Sequence, residues 1–213
     1  EGLDENTSIA DIVRDHPESG VFLVSSYHEK TICELKELKM PAVLLNHYDP
    51  DMLSVMPDNL MMVMQVIDYM AEMKRRRIAY IDGMPDSRNA KERWNAFRFA
   101  MYAHNLEVDD NLYFAGNWTY EGGRAAAREL LKTEKLPTAV FAASDMMAAG
   151  VMEELRQSGL RIPEDISIVG YDNLDIDVML SPPLSSALNR RSNLRLAASS
   201  DCRMRYEGLV EAN

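Results

Sequence analysis

The sequence predicts an α/β fold built on parallel sheet, and two observations carry that expectation. In the stretch from residue 137 to 186, apolar runs at 138–143 and 166–170 flank an amphipathic segment at 146–158, which reads as strand, helix, strand. Its helix is signalled at both ends, by Ser144 and Asp145 where an N-cap belongs and by Gly159 just past the last periodic residue. Short apolar runs and helical periodicity also alternate along the chain before it, and helical crossovers between parallel strands give a doubly wound sheet. Ligands bind such sheets beyond the carboxyl ends of the strands, where Ser144, Asp145 and Asp172 fall.

In chain order, residues 1–19 begin polar and run into a helix whose apolar face is Ile9, Ile12 and Val13. Residues 21–24 suit a fully buried parallel strand, with Ser25, Ser26 and Tyr27 at its carboxyl end. A helix over 29–39 turns Ile32, Leu35 and Leu38 inward and stops at Met40-Pro41, because proline disfavours helix in the residue before it. Strand 42–45 delivers Asn46, His47 and Tyr48 to the same edge. Helix 59–73 opens after Pro57 and Asp58. Seven of the fifteen methionines lie between Met52 and Met73, and the spacing of Leu60, Met64, Ile67 and Ala71 predicts a buried stripe there rather than a Met-lined binding surface. Strand 78–81, an Asp82-Gly83 turn, helix 89–105, strand 112–115 and helix 121–132 complete the alternation, with Asn117-Trp118-Thr119 leading into the last helix. The tail fits one helix over 193–206 with a poor apolar pattern.

Composition excludes several classes. Lys and Arg number 23 against 34 Asp and Glu, a formal charge of −11, and so acidic a surface repels phosphate backbones. The basic run 74–77 is short and reads as cations favoured at a helix end. Cys33 and Cys202 form no CxxC pair or disulfide framework. No apolar stretch reaches the about 18 residues of a membrane span, and the acidic start EGLDENTS is no export signal, so the expected location is the cytoplasm. His16, His28, His47 and His104 are scattered without metal-ligand spacing, and no glycine-rich phosphate loop is present. No spacing rule makes a catalytic pair of Asp145 and Asp172. Neither an enzyme nor a cofactor is expected.

Three runs, PTAVFAASDMMAAG, GLRIPEDISIVGYDN and SPPLSS, together with IAYIDGMPDSRNAKERWNAF and GNWTYEGGRAAARELL upstream, resemble the effector-binding core of the lactose-repressor and galactose-repressor transcription regulators. The resemblance covers most of residues 20–188. It implies two doubly wound parallel-sheet subdomains of the type I periplasmic-binding-protein kind, one of residues 1–57 plus 189–213 and one of 58–188, with chain crossings near Asp58 and Ala187 and an effector held between the lobes. It also implies that the first strand and helix of the N-terminal lobe, a final strand and a helix-turn-helix headpiece lie outside this chain.

The resemblance carries over candidate ligand contacts one at a time. Arg93, in ERWNAF, would grip effector oxygens with its planar fork; the alternative is an arginine on a solvated helix face. Asp172, in GYDN, would accept from vicinal hydroxyls; the alternative is a turn aspartate. Trp118 would pack on the effector's apolar face, unless it is an ordinary buried tryptophan. Ser144 stands where sugar-responsive members have asparagine, so the hydrogen bonds there must differ, and Asp145 is expected to be the helix cap. Asn46, Asn189 and Asp58 complete the set. The function so implied is the sensing core of a homodimeric repressor that binds a small polar effector, a sugar or sugar derivative with purines not excluded, and touches DNA only through the absent headpiece. A secreted solute-binding protein of a sugar transport system is the alternative.

Overall fold

The computed structural model describes residues 8–10, 20–24, 29–174 and 180–187. The sequence-predicted helix over 193–206, the residues Ser25, Ser26 and Tyr27, and Asn189 lie outside them. The chain forms two compact units, Glu1–Pro57 with Arg190–Asn213 and Asp58–Asn189.

In the first unit β1 (Val21–Val24), α1 (Glu29–Leu38), β2 (Ala42–Leu45) and β3 (Leu53–Val55) build a parallel three-stranded sheet in the order β1-β2-β3. Ile9, Leu23, Ile32, Leu35 and Leu44 form its core. Three expectations are corrected here. β1 is not fully buried: Phe22 and Val24 are 55% and 57% exposed while Leu23 is buried, because β1 ends the sheet and the two-residue period puts Phe22 and Val24 on the other face. Leu38 is exposed rather than inward. The helix ends at Leu38, and Lys39, at φ +53°, turns the chain out of it before Met40-Pro41 is reached.

The second unit contains five parallel strands in the order β5-β4-β6-β7-β8, namely β4 (Ile78–Asp82), β5 (Tyr113–Ala115), β6 (Ala139–Ala142), β7 (Ser167–Tyr171) and β8 (Ser185–Ala187). The chain leaves β4 towards β5, then returns to place β6 on the other side of β4, so the strand order reverses between β4 and β6. A crevice at the carboxyl edge belongs at such a reversal. The crossover helices are α2 (Asn59–Glu72), α3 (Arg88–Ala103), α4 (Tyr120–Leu130) and α5 (Asp145–Gln157); α2 packs on α3 and α4 on α5. None of the described helices is long and apolar enough to cross a membrane.

Helix starts follow local chemistry. Asp58, Ser87, Thr119 and Ser144 each accept a backbone N–H three residues on, from Met61, Ala90, Gly122 and Met147. The α5 cap is therefore Ser144, and Asp145, expected as the cap, is the first helical residue and wholly buried. Gly159, at φ +84°, ends α5 with Leu160 N–H donating to Leu155 O at 3.1 Å, the turn that only an unhindered residue makes cheaply. In α2 the buried positions are Asn59, Met62, Val63, Val66, Ile67 and Met70. The expected stripe is wrong at Leu60, which is half exposed, because apolar residues surround this helix and its periodicity does not choose a face.

Candidate functional site

The carboxyl ends of β4, β6 and β7 converge on Arg93. It lies on the second turn of α3, where the rings of Trp94 and Phe97 anchor the helix against Tyr80 of β4. Arg93 is only 3% exposed, which rules out the solvated helix face. Its Nε donates to Asn59 Oδ1 at 3.1 Å, its Nη1 to the carbonyl oxygen of Ala143, and its Nη2 lies 3.4 Å from Asp172 Oδ1. The Tyr171 ring sits under the guanidinium, 3.6 Å from its centroid, and the Trp118 ring is 5.3 Å away. Each is a cation–π contact.

Asn59, which the sequence did not single out, organises this group. Its amide nitrogen donates to Asn89 Oδ1 at 3.1 Å and to Glu92 Oε2 at 2.8 Å, and its oxygen accepts from Arg93 Nε and, at 2.9 Å, from the Tyr171 hydroxyl. Both donors and both acceptor positions of the carboxamide are used, so the amide orientation is fixed by its partners. Burial pushes the Tyr171 hydroxyl up to about 12, against the pull of the Arg93 charge, so it stays a proton donor to Asn59 at neutral pH.

Asp172 and Trp118 flank the arginine on strained backbone. Asp172 has φ +110° and Trp118 φ +63°; Asn46, beyond β2 in the first unit, has φ +63°. Non-glycine residues in this region cost of order 1–3 kcal/mol each and gather at functional sites. Trp118 needs Gly83 beside it, since a Cβ there would stand 2.0 Å from the indole. Beneath, at the end of β4, Asp82 Oδ1 accepts from Gly83 N–H at 2.8 Å and Oδ2 from the Tyr113 hydroxyl at 2.6 Å. Burial raises the Asp82 carboxyl above the usual range, while the Tyr113 bond opposes the shift. Neither residue was foreseen.

The remaining candidates separate. Ser144, nearly buried, caps α5 one residue beyond the Ala143 carbonyl that holds Arg93. Asp145 accepts from Ser186 Oγ at 2.6 Å and from Leu174 N–H at 2.9 Å, tying the segment after β7 to β8. Asp58 is exposed and occupied as the α2 cap. The Asn46 N–H donates to Val55 O at 2.9 Å within its own unit. Arg93, Asp172 and Trp118 are thus brought together with Ser144 alongside. A ligand hydroxyl there can donate to the Asp172 carboxylate while accepting from the N–H donors that Arg93 does not spend internally.

A parallel sheet with a strand-order reversal and a polar cluster at its carboxyl edge defines a ligand-binding α/β unit, and residues 67–189 match the family described as periplasmic binding protein-like domain. The HTH-type transcriptional repressor CytR of Escherichia coli (strain K12) is 33% identical over 153 residues, which are 71% of this chain and 45% of that protein. The crystal structure of a regulatory protein of the LacI family from Chloroflexus aggregans is 30% identical with a TM-score of 0.83, over 97% of this chain and 76% of that one. A transcriptional regulator CelR–cellobiose complex is 32% identical with a TM-score of 0.74, over 92% of this chain and 63% of that one. The chain thus spans less than half the length of the curated repressor it matches. It belongs to the LacI family, within which it corresponds to the effector-binding core.

Proposed function

We propose that this chain is the sensing core of a transcription regulator and takes a small polyhydroxylated effector, a sugar or sugar derivative, at the carboxyl edge of the second unit's sheet. The carrying observation is the buried Arg93 with Asp172 at 3.4 Å and Trp118 at its side. A charged fork, a carboxylate and an aromatic face match the alternating hydroxyl and C–H surfaces of a sugar. Ser144, through the hydrogen of its hydroxyl, supplies a shorter contact than an asparagine would. The cellobiose held by the CelR relative supports a sugar, and the repressor relatives support regulation of transcription; the cytoplasm and a homodimer are the setting we propose for it. Effector and operator affinities of the intact regulator are then linked reciprocally.

A thermal-shift screen over sugars, sugar phosphates and nucleobases tests the reading. The effector at a hundred-fold excess over Kd raises the melting temperature by about 5–10 °C. If no polyol stabilises the chain, or if calorimetry finds the affinity of the best hit unchanged in Asp172→Asn, the assignment fails.

A further inference from the structure

At the opposite edge of the same sheet, a cavity of about 150 Å³ opens beside the first residues of β7 and β8. Met70 of α2, Met73 that caps its C-terminus, Met152 of α5, and Ile162 and Leu184 ahead of the two strands give it an apolar wall. Arg75 is the one charged residue among those that line it. A lining with one cation and no carboxylate offers an anion a local positive charge, although the chain as a whole carries −11.

Arg75 is half used. Its Nη2 donates to the Pro163 carbonyl at 2.8 Å, whereas its Nε is buried and meets no acceptor among the described residues. Pro163 takes only one N–H of the terminal Nη groups, so the guanidinium keeps terminal donors and a fixed positive charge for a ligand anion where Arg75 lines the cavity. The volume sets the size of the rest, because an apolar cavity of about 150 Å³ accommodates a six-membered ring. Thioethers at Met70, Met73 and Met152 favour an aromatic one.

We propose that this cavity is a second ligand site, separate from the Arg93 edge, and that it takes a small aryl carboxylate. One carboxylate oxygen accepts from a terminal Nη of Arg75, and the ring lies against the methionines. Both α2 and α5 contribute to this cavity through their later turns, while their first residues, Asn59 and Asp145, stand at the carboxyl edge.

Benzoate is the probe. With methyl-labelled methionine, titration shifts the Met70, Met73 and Met152 methyl resonances along one saturable curve. Benzamide, equal in shape and uncharged, binds at least ten-fold more weakly. Arg75→Gln loses ten-fold or more of the benzoate affinity, and Arg75→Lys keeps part of it. Should Arg75→Gln fail to fold, the benzoate and benzamide comparison on the unaltered chain decides. The proposal is overturned if millimolar benzoate moves none of the three methyl groups, or if benzamide binds as well as benzoate.

Discussion

Asn59 holds Arg93 in place: its carboxamide oxygen takes the Nε–H of the arginine at 3.1 Å and the Tyr171 hydroxyl at 2.9 Å, all three groups being buried. Replacing it by alanine leaves two buried donors without this acceptor and removes the amide donor from Asn89 Oδ1 and Glu92 Oε2. At a cost of about 1–3 kcal/mol for an unsatisfied buried group, offset in part by relaxation, Asn59→Ala should destabilise the second unit by about 2–4 kcal/mol. Urea unfolding measures it as a lower midpoint at unchanged slope. A loss below about 0.5 kcal/mol would show that Arg93 and Tyr171 find other acceptors.

Arg93 and Asp172 form the charged pair on which the proposed effector contact rests. Arg93→Ala and Asp172→Ala should each weaken effector binding ten-fold or more, equivalent to about 1.4 kcal/mol. The double variant should lose clearly less than the two singles added together, because each single change already removes the Arg93–Asp172 interaction and the double change removes it only once. Calorimetry with the best hit of the thermal-shift screen yields the cycle. Additive losses would mean that the two residues act on separate parts of the ligand.

Gly83 and Trp118 compete for the same space. A Cβ at Gly83 would lie 2.0 Å from the indole, and the ring end of a side chain can swing away at modest cost. Gly83→Ala should therefore cost only about 1–2 kcal/mol yet move Trp118 off the site. Trp118 and Trp94 are the two tryptophans, so the change registers as a shifted emission maximum that is absent in a Trp118→Phe background. Weaker effector binding with Arg93 untouched is the functional counterpart.

The clash at Gly150 is of another kind. Its added Cβ would meet the backbone carbonyl of Tyr120 at 2.0 Å, and one at Gly123 would meet the Met147 carbonyl at 2.2 Å, so α4 and α5 touch backbone to backbone. Neither helix can yield without leaving the sheet. Gly150→Ala should cost about 3 kcal/mol or more, seen in thermal or urea unfolding, despite the better helix propensity of alanine.

What the sequence disclosed depended on the range of the interaction. The Ser144 cap region, the Gly159 turn and the β6–α5–β7 unit were legible because caps and apolar runs are local rules. Strands β3 and β8 escaped, being three residues each with serine inside, Leu-Ser-Val and Ser-Ser-Ala. The buried face of α2 was misjudged because its run offers apolar residues on every side. Arg93 and Asp172 were found through family resemblance, but the residue that fixes the arginine was not. Asn59 bonds to partners 34 and 112 positions away, a separation to which periodicity is blind. Asp82 and Tyr113 were hidden likewise, paired across 31 positions by the β4–β5 register.

The turn between α5 and β7 is closed by an exposed clamp whose strength depends on pH. Asp165 accepts from the Arg161 backbone N–H at 2.8 Å, from Arg161 Nε at 3.0 Å and from Nη2 at 2.6 Å, and these bonds hold its carboxyl down at about 2, against an ordinary 3.8. The folded value lies below the unfolded one, so the clamp stabilises fully above about pH 4 and loses its effect as pH falls towards 2. Because the pair is exposed, Asp165→Asn should lower the melting temperature by only about 2 °C at pH 6. About half of that difference should be gone by pH 3. Paired melts of the two proteins from pH 6 to pH 3 test it, and a difference constant over that range would assign the effect to the turn's shape instead of its charge. Added salt should shrink the pH 6 difference in the same experiment, since a solvent-facing ion pair is screened and a buried packing contact is not.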